Sequence, residues 1–155
     1  MGWYRKGERV EFSCLLGKKI VAWEGQAGDE EIKITTSDGA EYLLYHEQDC
    51  CETVSVEDID GVPALLYGQP VLIAEETSHS ASEGGKTPEG EPVEYESVTW
   101  TFYRIATELG GVVVRWWGSS NGYYSEAVGM VMTKPPNEEP KQLPRAETAG
   151  GGRPV

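Results

Sequence analysis

The stretch "YESVTWTFYRIATELGGVVVRWWGSSNGYYSEAVGMVM", residues 95–132, decides the fold. Its first third alternates, placing Trp100, Phe102 and Arg104 on one face of an extended strand and Thr101, Tyr103 and Ile105 on the other. "LGGVVVRWWG" (109–118) follows through a Gly-Gly turn, and "YYSEAVGMVM" (123–132) reads as one more strand. Between them stands Asn121-Gly122, the dipeptide best able to take the positive φ that a type I′ hairpin turn requires. A two-residue loop there would set Ser120 against Tyr123, Ser119 against Tyr124 and Trp116 against Ala127. Trp116 and Trp117 would then part to opposite faces, as would Tyr123 and Tyr124. One ring of each pair can belong to a core, and the other lies outside unless both faces are covered; the plainer reading is a hairpin whose aromatics pack on both sides, the sharper one an exposed patch of Trp117 and one tyrosine near Arg115 and Asn121.

The same two-residue period runs back toward the N-terminus. "KKIVAWEG" (18–25) is a strand, and "EEIKITTSDGAEYLLYHE" (30–47) is a hairpin that turns at Asp38-Gly39, with Ile32, Ile34, Tyr42 and Leu44 inward. "TVSVEDI" (53–59) sends Val54 and Val56 inward. "GVPALLYGQP" (61–70) is broken by glycine and proline and admits one helical turn at 63–67. "PVLIAEETSH" (70–79) is a strand that begins at a proline, where a missing N–H costs least. No amphipathic helix separates the strands, which argues against a parallel α/β sheet. The expectation is a mainly β chain: an antiparallel sandwich or partly open barrel of about eight strands, with at most one or two short helical turns.

The 155 residues suit one domain. Large apolar groups are scarce in 80–92 and after 134, so the expected organisation is an N-terminal extension at 1–16, a single β domain at 17–133 and a disordered acidic, Pro- and Gly-rich tail at 134–155. The segment 80–92, rich in Ser, Gly, Glu and Pro, is expected to be a flexible loop inside the domain.

The formal net charge is −13, and no basic residue occurs between Lys33 and Lys86. Nonspecific nucleic-acid binding and anionic membrane surfaces are therefore disfavoured, because both depend on Lys and Arg. The acidic stretch reads first as a solvated face, with a cation site or a decoy for a DNA-binding protein as the sharper alternatives. No apolar run reaches the roughly 18 residues of a membrane span, and the start "MGWYRKGERVEF" lacks the apolar core of a signal peptide. Three cysteines, two of them adjacent, make a poor disulfide framework. The expected compartment is a reducing bacterial-type cytoplasm with reduced thiols.

"YHEQDCCE" (45–52) brings His46, Cys50 and Cys51 together, the residue types that zinc prefers. On a strand, however, adjacent cysteines face apart, so only one could join His46, and the neighbouring carboxylates raise a thiol pKa rather than lower it. The plainer reading is a kinked strand with one cysteine acting as a small buried hydrophobe. Glu75 and Glu76 are adjacent and face apart, so they are no acid/base pair. "DID-G" at 58–61 lacks the remaining ligands of a calcium loop. No phosphate-binding loop, dinucleotide fingerprint or nucleophile elbow occurs, and no motif implies a cofactor.

The blocks "HEQDCCETVSVEDIDG" (46–61), "LLYGQPVLIAEE" (65–76), "TWTFYRIAT" (99–107) and "VVVRWWGSSNGYYSEAV" (112–128) resemble a family of small proteins found widely in bacteriophages and in some bacterial genomes, a domain of unknown function. The resemblance covers about residues 17–129. This chain departs from it at "GVPALLYG", where the family is often more acidic and helix-like, and in a longer loop at 80–92. The resemblance implies a phage or prophage origin and a host-cytoplasm setting, and it brings no activity.

The expected function is a non-enzymatic accessory protein that binds a host protein or a small anionic ligand. Its surface would be an exposed aromatic hairpin of Trp117, Asn121, Tyr123 and Tyr124, with Arg104 and Arg115 available to an anion. The alternatives are a zinc-binding hydrolase using His46, Cys50 and Cys51, and a virion-associated structural protein. Long strands with exposed aromatics also make a homo-oligomer an expectation.

Overall fold

The period-two runs become antiparallel strands throughout. The computed structural model describes residues 3–4 and 6–137. Among these the strands are β1 (Trp3–Tyr4), β2 (Gly7–Val10), β3 (Ile20–Glu24), β4 (Glu31–Thr36), β5 (Glu41–Tyr45), β6 (Thr53–Asp60), β7 (Ile73–Ser82), β8 (Ser97–Thr107), β9 (Gly110–Ser120) and β10 (Gly129–Lys134). Two short 3-10 turns, Phe12–Leu15 and Pro63–Leu66, complete the set. One sheet runs β1-β2-β10-β5-β4-β3 and the other β6-β9-β8-β7, and they pack face to face without closing a barrel.

Alternation supplies the core from both inner faces. Ile32, Ile34, Tyr42, Leu44 and Met130 of the first sheet meet Val54, Val56, Tyr103, Ile105, Val114 and Trp116 of the second. Each fully buried aliphatic side chain is worth about 1.5–3 kcal/mol of transfer free energy, so a one-residue slip of register on either sheet would forfeit the whole inner face. The Tyr103 hydroxyl is buried and donates to the Val128 carbonyl, 3.1 Å.

Residues 109–132 do not form a hairpin about Asn121, contrary to the sequence expectation. The hairpin is instead β8–β9, closed at Glu108-Leu109, with Thr107 opposite Gly110 and Trp100 opposite Trp117. The other edge of β9 is taken by β6, with Val56 opposite Trp116. A strand has two edges, so the chain after β9 has no ladder to return along. It turns at Gly122 (φ +92), crosses to the other sheet and becomes β10 between β5 and β2. Ser120 and Asn121 drive that turn by bonding backbone: Gly122 N–H donates to Ser120 Oγ (3.0 Å) and Tyr123 N–H to Asn121 Oδ1 (2.9 Å). The crossing chain passes so close to β9 that a Cβ on Gly118 would stand 3.2 Å from the backbone oxygen of Glu126.

Two boundaries also shift. Of the segment expected as an extension, 1–16, the part at 7–16 belongs to the domain: β2 pairs with β10, and Phe12 and Leu15 are buried in the core, Phe12 against Tyr103 with centroids 4.7 Å apart. Of the expected tail at 134–155, Lys134 ends β10 and Asn137 N–H donates to Asp38 O, while 138–155 lie outside the described residues.

The segment at 80–92 is no open loop. β7 and β8 pair as far as Ser82 opposite Ser97, and the excursion between them is laced by its own backbone bonds. Thr87 N–H donates to Glu91 O (2.7 Å), Gly90 N–H to Thr87 O (2.9 Å) and Val93 N–H to Gly85 O (2.9 Å).

Candidate functional site

The excursion folds over the outer face of the second sheet. Strand alternation and the β8–β9 register put Trp100 beside Trp117, Phe102 beside Arg115 and Arg104 beside Val113 on that face. β7 adds His79 next to Trp100. Val93, Val98 and Trp100 are buried there as a second small core, with Ala81, Phe102 and Trp117 packed against it. Tyr95 meets Trp117 edge-on at 5.2 Å, and His79 meets Trp100 at 5.8 Å. Thr87, Pro92, Val93, Glu94, Tyr95 and Trp100 line a cavity of about 340 Å³. The buried indole N–H of Trp100 has no hydrogen-bond partner among the described residues.

Arg115 clamps the excursion down. Its Nη1 and Nη2 donate to the two oxygens of Glu89, the latter at 3.0 Å, and Nε donates to Glu57 at 2.5 Å. Its guanidinium lies 5.8 Å from the Trp100 ring centroid and 5.6 Å from that of Phe102. The Glu89 hydrogen bond above all raises the Arg115 pKa against the opposing effect of burial, with Glu57 adding to it, and Arg115 in turn lowers that of Glu89. Exposed ion pairs of this kind are individually modest, so Arg115→Ala should loosen the excursion without unfolding the domain. Hydrogen exchange at Gly85, Gly90 and Val93 should accelerate about ten-fold, an effect of roughly 1.4 kcal/mol. Exchange in the β8–β9 ladder should stay unchanged.

The six residues expected to form the binding surface separate into two groups. Arg104, Arg115 and Trp117 share the outer face; Arg104 is exposed, with Nη1 3.6 Å from Glu75. Asn121, Tyr123 and Tyr124 ride the turn beyond β9, where Tyr123 is 83% exposed and stands edge-on to Tyr124 at 5.0 Å. The expected picture of bare rings thus holds for Tyr123, whereas Trp117 is half-buried under Tyr95. Val93, Tyr95 and Glu89 escaped sequence reasoning because the excursion has no apolar periodicity. The available signal was the strict alternation of β8 and β9, which pairs Trp100 with Trp117 once the turn is placed at Glu108-Leu109.

The His46 cluster is a structural knot. Nδ1–H of His46 donates to Ala127 O (2.7 Å) and Nε2 is hydrogen-bonded to Glu52 Oε2 (2.6 Å), so both ring nitrogens are engaged and neither is free for a metal. The buried Glu52 carboxylate also accepts the N–H groups of Asp49 (2.9 Å) and Cys50 (3.0 Å). Burial, the largest influence, raises its pKa; the His46 and backbone donors together outweigh that and hold it at about 2. Residues 49–51 bend away from extended geometry, which sets the two cysteines side by side. Cys50 and Cys51 are joined as a disulfide, in place of the reduced thiols expected. Among the described residues no three His, Cys, Asp or Glu side chains gather in a way that could hold a metal ion. None of the helices among these residues is long and apolar enough to cross a membrane.

No curated protein and no solved structure matches the chain. A family model does, over residues 13–130, a span that starts inside the first 3-10 turn and ends in β10. On that match the chain belongs to the DUF7448 family, a domain of unknown function.

Proposed function

We propose that the chain is a non-catalytic, phage-type accessory protein that takes a planar heteroaromatic ring into the cavity between the excursion and the outer face of the second sheet. The phage setting rests on the resemblance of the four sequence blocks. One observation carries the binding reading: Trp100, 5% exposed and on the cavity wall, has an indole N–H with no acceptor. Leaving such a donor buried and unpaired costs about 1–3 kcal/mol, which a ligand acceptor would recover once the excursion shifts enough to open the N–H to the cavity. Tyr95, Trp100, Pro92 and Val93 offer apolar and aromatic walls, and the exposed Glu94 carboxylate beside them can accept from a ligand donor. A ring bearing both an acceptor nitrogen and an amino group meets those demands.

The ligand is neutral rather than anionic. Glu57 and Glu89 already occupy the Arg115 guanidinium, and Glu83, Glu91, Glu94 and Glu96 surround the excursion. Adenosine and adenosine monophosphate make the test, read on the indole N–H resonances of the 15N-labelled chain, with Trp100 assigned through Trp100→Phe. Adenosine at millimolar concentration should move the Trp100 resonance, the monophosphate should move it less, and Tyr95→Ala should weaken the response several-fold. No shift with adenosine, or a larger one with the monophosphate, overturns the proposal.

A further inference from the structure

Six of the nine large apolar side chains left exposed among the described residues stand at one end of the sandwich, away from the excursion. Leu72 is 58% and Leu109 59% exposed; Leu16, Val62, Leu65 and Tyr67 accompany them. Hydrogen bonds tie the segments that carry them. The Thr107 hydroxyl donates to Leu65 O (3.3 Å) and accepts from Leu109 N–H (3.2 Å). Leu72 N–H donates to Ala106 O (2.8 Å), and Gly17 N–H, beside Leu16, donates to Val71 O (2.8 Å). Scattered exposed leucines are ordinary; a gathered patch on the order of several hundred Å² marks an interaction surface.

The order of strands at this end fixes the charges around the patch. β6 finishes at Asp60 on one side; then come the starts and ends of β9, β8 and β7, and finally the Leu16–Lys19 segment on the other side. Asp58 and Asp60 are exposed at the first side, Glu108 in the β8–β9 turn beside Leu109, and Lys19 at the second side, and neither Asp60 nor Lys19 has an ion-pair partner among the described residues. An apolar strip with acid at one border and base at the other is complementary to its own copy turned through 180°.

We infer that this end is the contact between two copies of the chain, related by a two-fold axis, with Lys19 of each facing Asp60 of the other twice over. A standard interface takes about 800 Å² from each partner; six exposed apolar side chains and a charged border make a contact of modest size, so the dimer is reversible. Sedimentation equilibrium of the full chain tests it. A concentration-dependent monomer–dimer equilibrium is expected. Leu72→Glu, at an exposed position that folding does not depend on, should weaken the dimer more than ten-fold. Lys19→Glu should weaken it several-fold, and Lys19→Glu combined with Asp60→Lys should restore it. A chain that stays monomeric at every concentration overturns the inference, as does a dimer indifferent to Leu72→Glu or a double variant no tighter than Lys19→Glu alone. Tyr123→Ala, away from this end, should leave the equilibrium unchanged; a loss there would equally overturn it.

Discussion

Replacing Glu52 with alanine is expected to cost about 3–5 kcal/mol of folding stability, measured as the shift in a urea unfolding midpoint at neutral pH. The carboxylate sits at the centre of the 46–52 connection between the two sheets, buried, hydrogen-bonded to Nε2 of His46 and accepting from two backbone N–H groups. Removing it leaves the buried His46 Nε2 and the part-buried N–H groups of Asp49 and Cys50 without their shared partner. That differs from losing a surface pair, which solvent would repair. Glu52→Gln keeps one acceptor oxygen and most of the volume but not the charge, and should cost less, about 2 kcal/mol.

The same site gives the stability curve its acid limb. The Glu52 carboxyl has a pKa of about 2 in the folded chain against a usual 4.5, so the folded state binds its proton later than the unfolded state does. Its contribution is complete above about 4.5 and is lost as the pH falls through about 2. Asp38 behaves alike: the Thr36 hydroxyl above all, with the Ala40 N–H and Lys18, outweighs partial burial and brings it to about 2. Wild-type stability should therefore fall between pH 4.5 and 2, and the fall should be shallower in Glu52→Gln, with Asp38 supplying the residual slope.

What the sequence made legible was the part governed by alternation. The inward faces of β4, β5, β6 and β8, the Asp38-Gly39 turn and the 3-10 turn at Pro63 follow from residue type and spacing alone. Pairing was harder to read, because it depends on which edges are already taken. Asn121-Gly122 has the local chemistry of a hairpin, but β8 and β6 occupy both edges of β9, and tertiary competition overrides the dipeptide. The excursion was hidden for a different reason. It is held by backbone hydrogen bonds and by Arg115, a residue thirty positions away from its start, neither of which leaves a periodic trace in composition. The apolar end was equally hidden. Leu16, Leu72 and Leu109 each look unremarkable in their own segments, and they become a surface only once the sheet order brings the segments together.

Trp116 and Trp117 put these two kinds of legibility side by side, and alanine at each should separate them. Trp116 is fully buried between the sheets, and Trp116→Ala should cost about 3–5 kcal/mol through lost transfer energy and the cavity left behind. Its indole N–H has no partner among the described residues, an unpaired donor in the wild-type core worth about 1–3 kcal/mol. Trp116→Phe removes that donor while giving up part of the ring volume. The two effects oppose, and the variant should lie within about 1 kcal/mol of wild type. Trp117 faces outward, half-buried, with its main aromatic contact the edge of Tyr95. Trp117→Ala should cost only about 1–2 kcal/mol, yet it strips a ring from the second small core that shapes the ligand cavity. Stability is thus expected to distinguish the pair one way and adenosine binding the other: Trp116→Phe retains the Trp100 resonance shift, and Trp117→Ala diminishes it. Equal stability costs for the two alanine variants would mean that the strand presents its rings differently from the register of Trp100 opposite Trp117, and the cavity on the outer face would lose its floor.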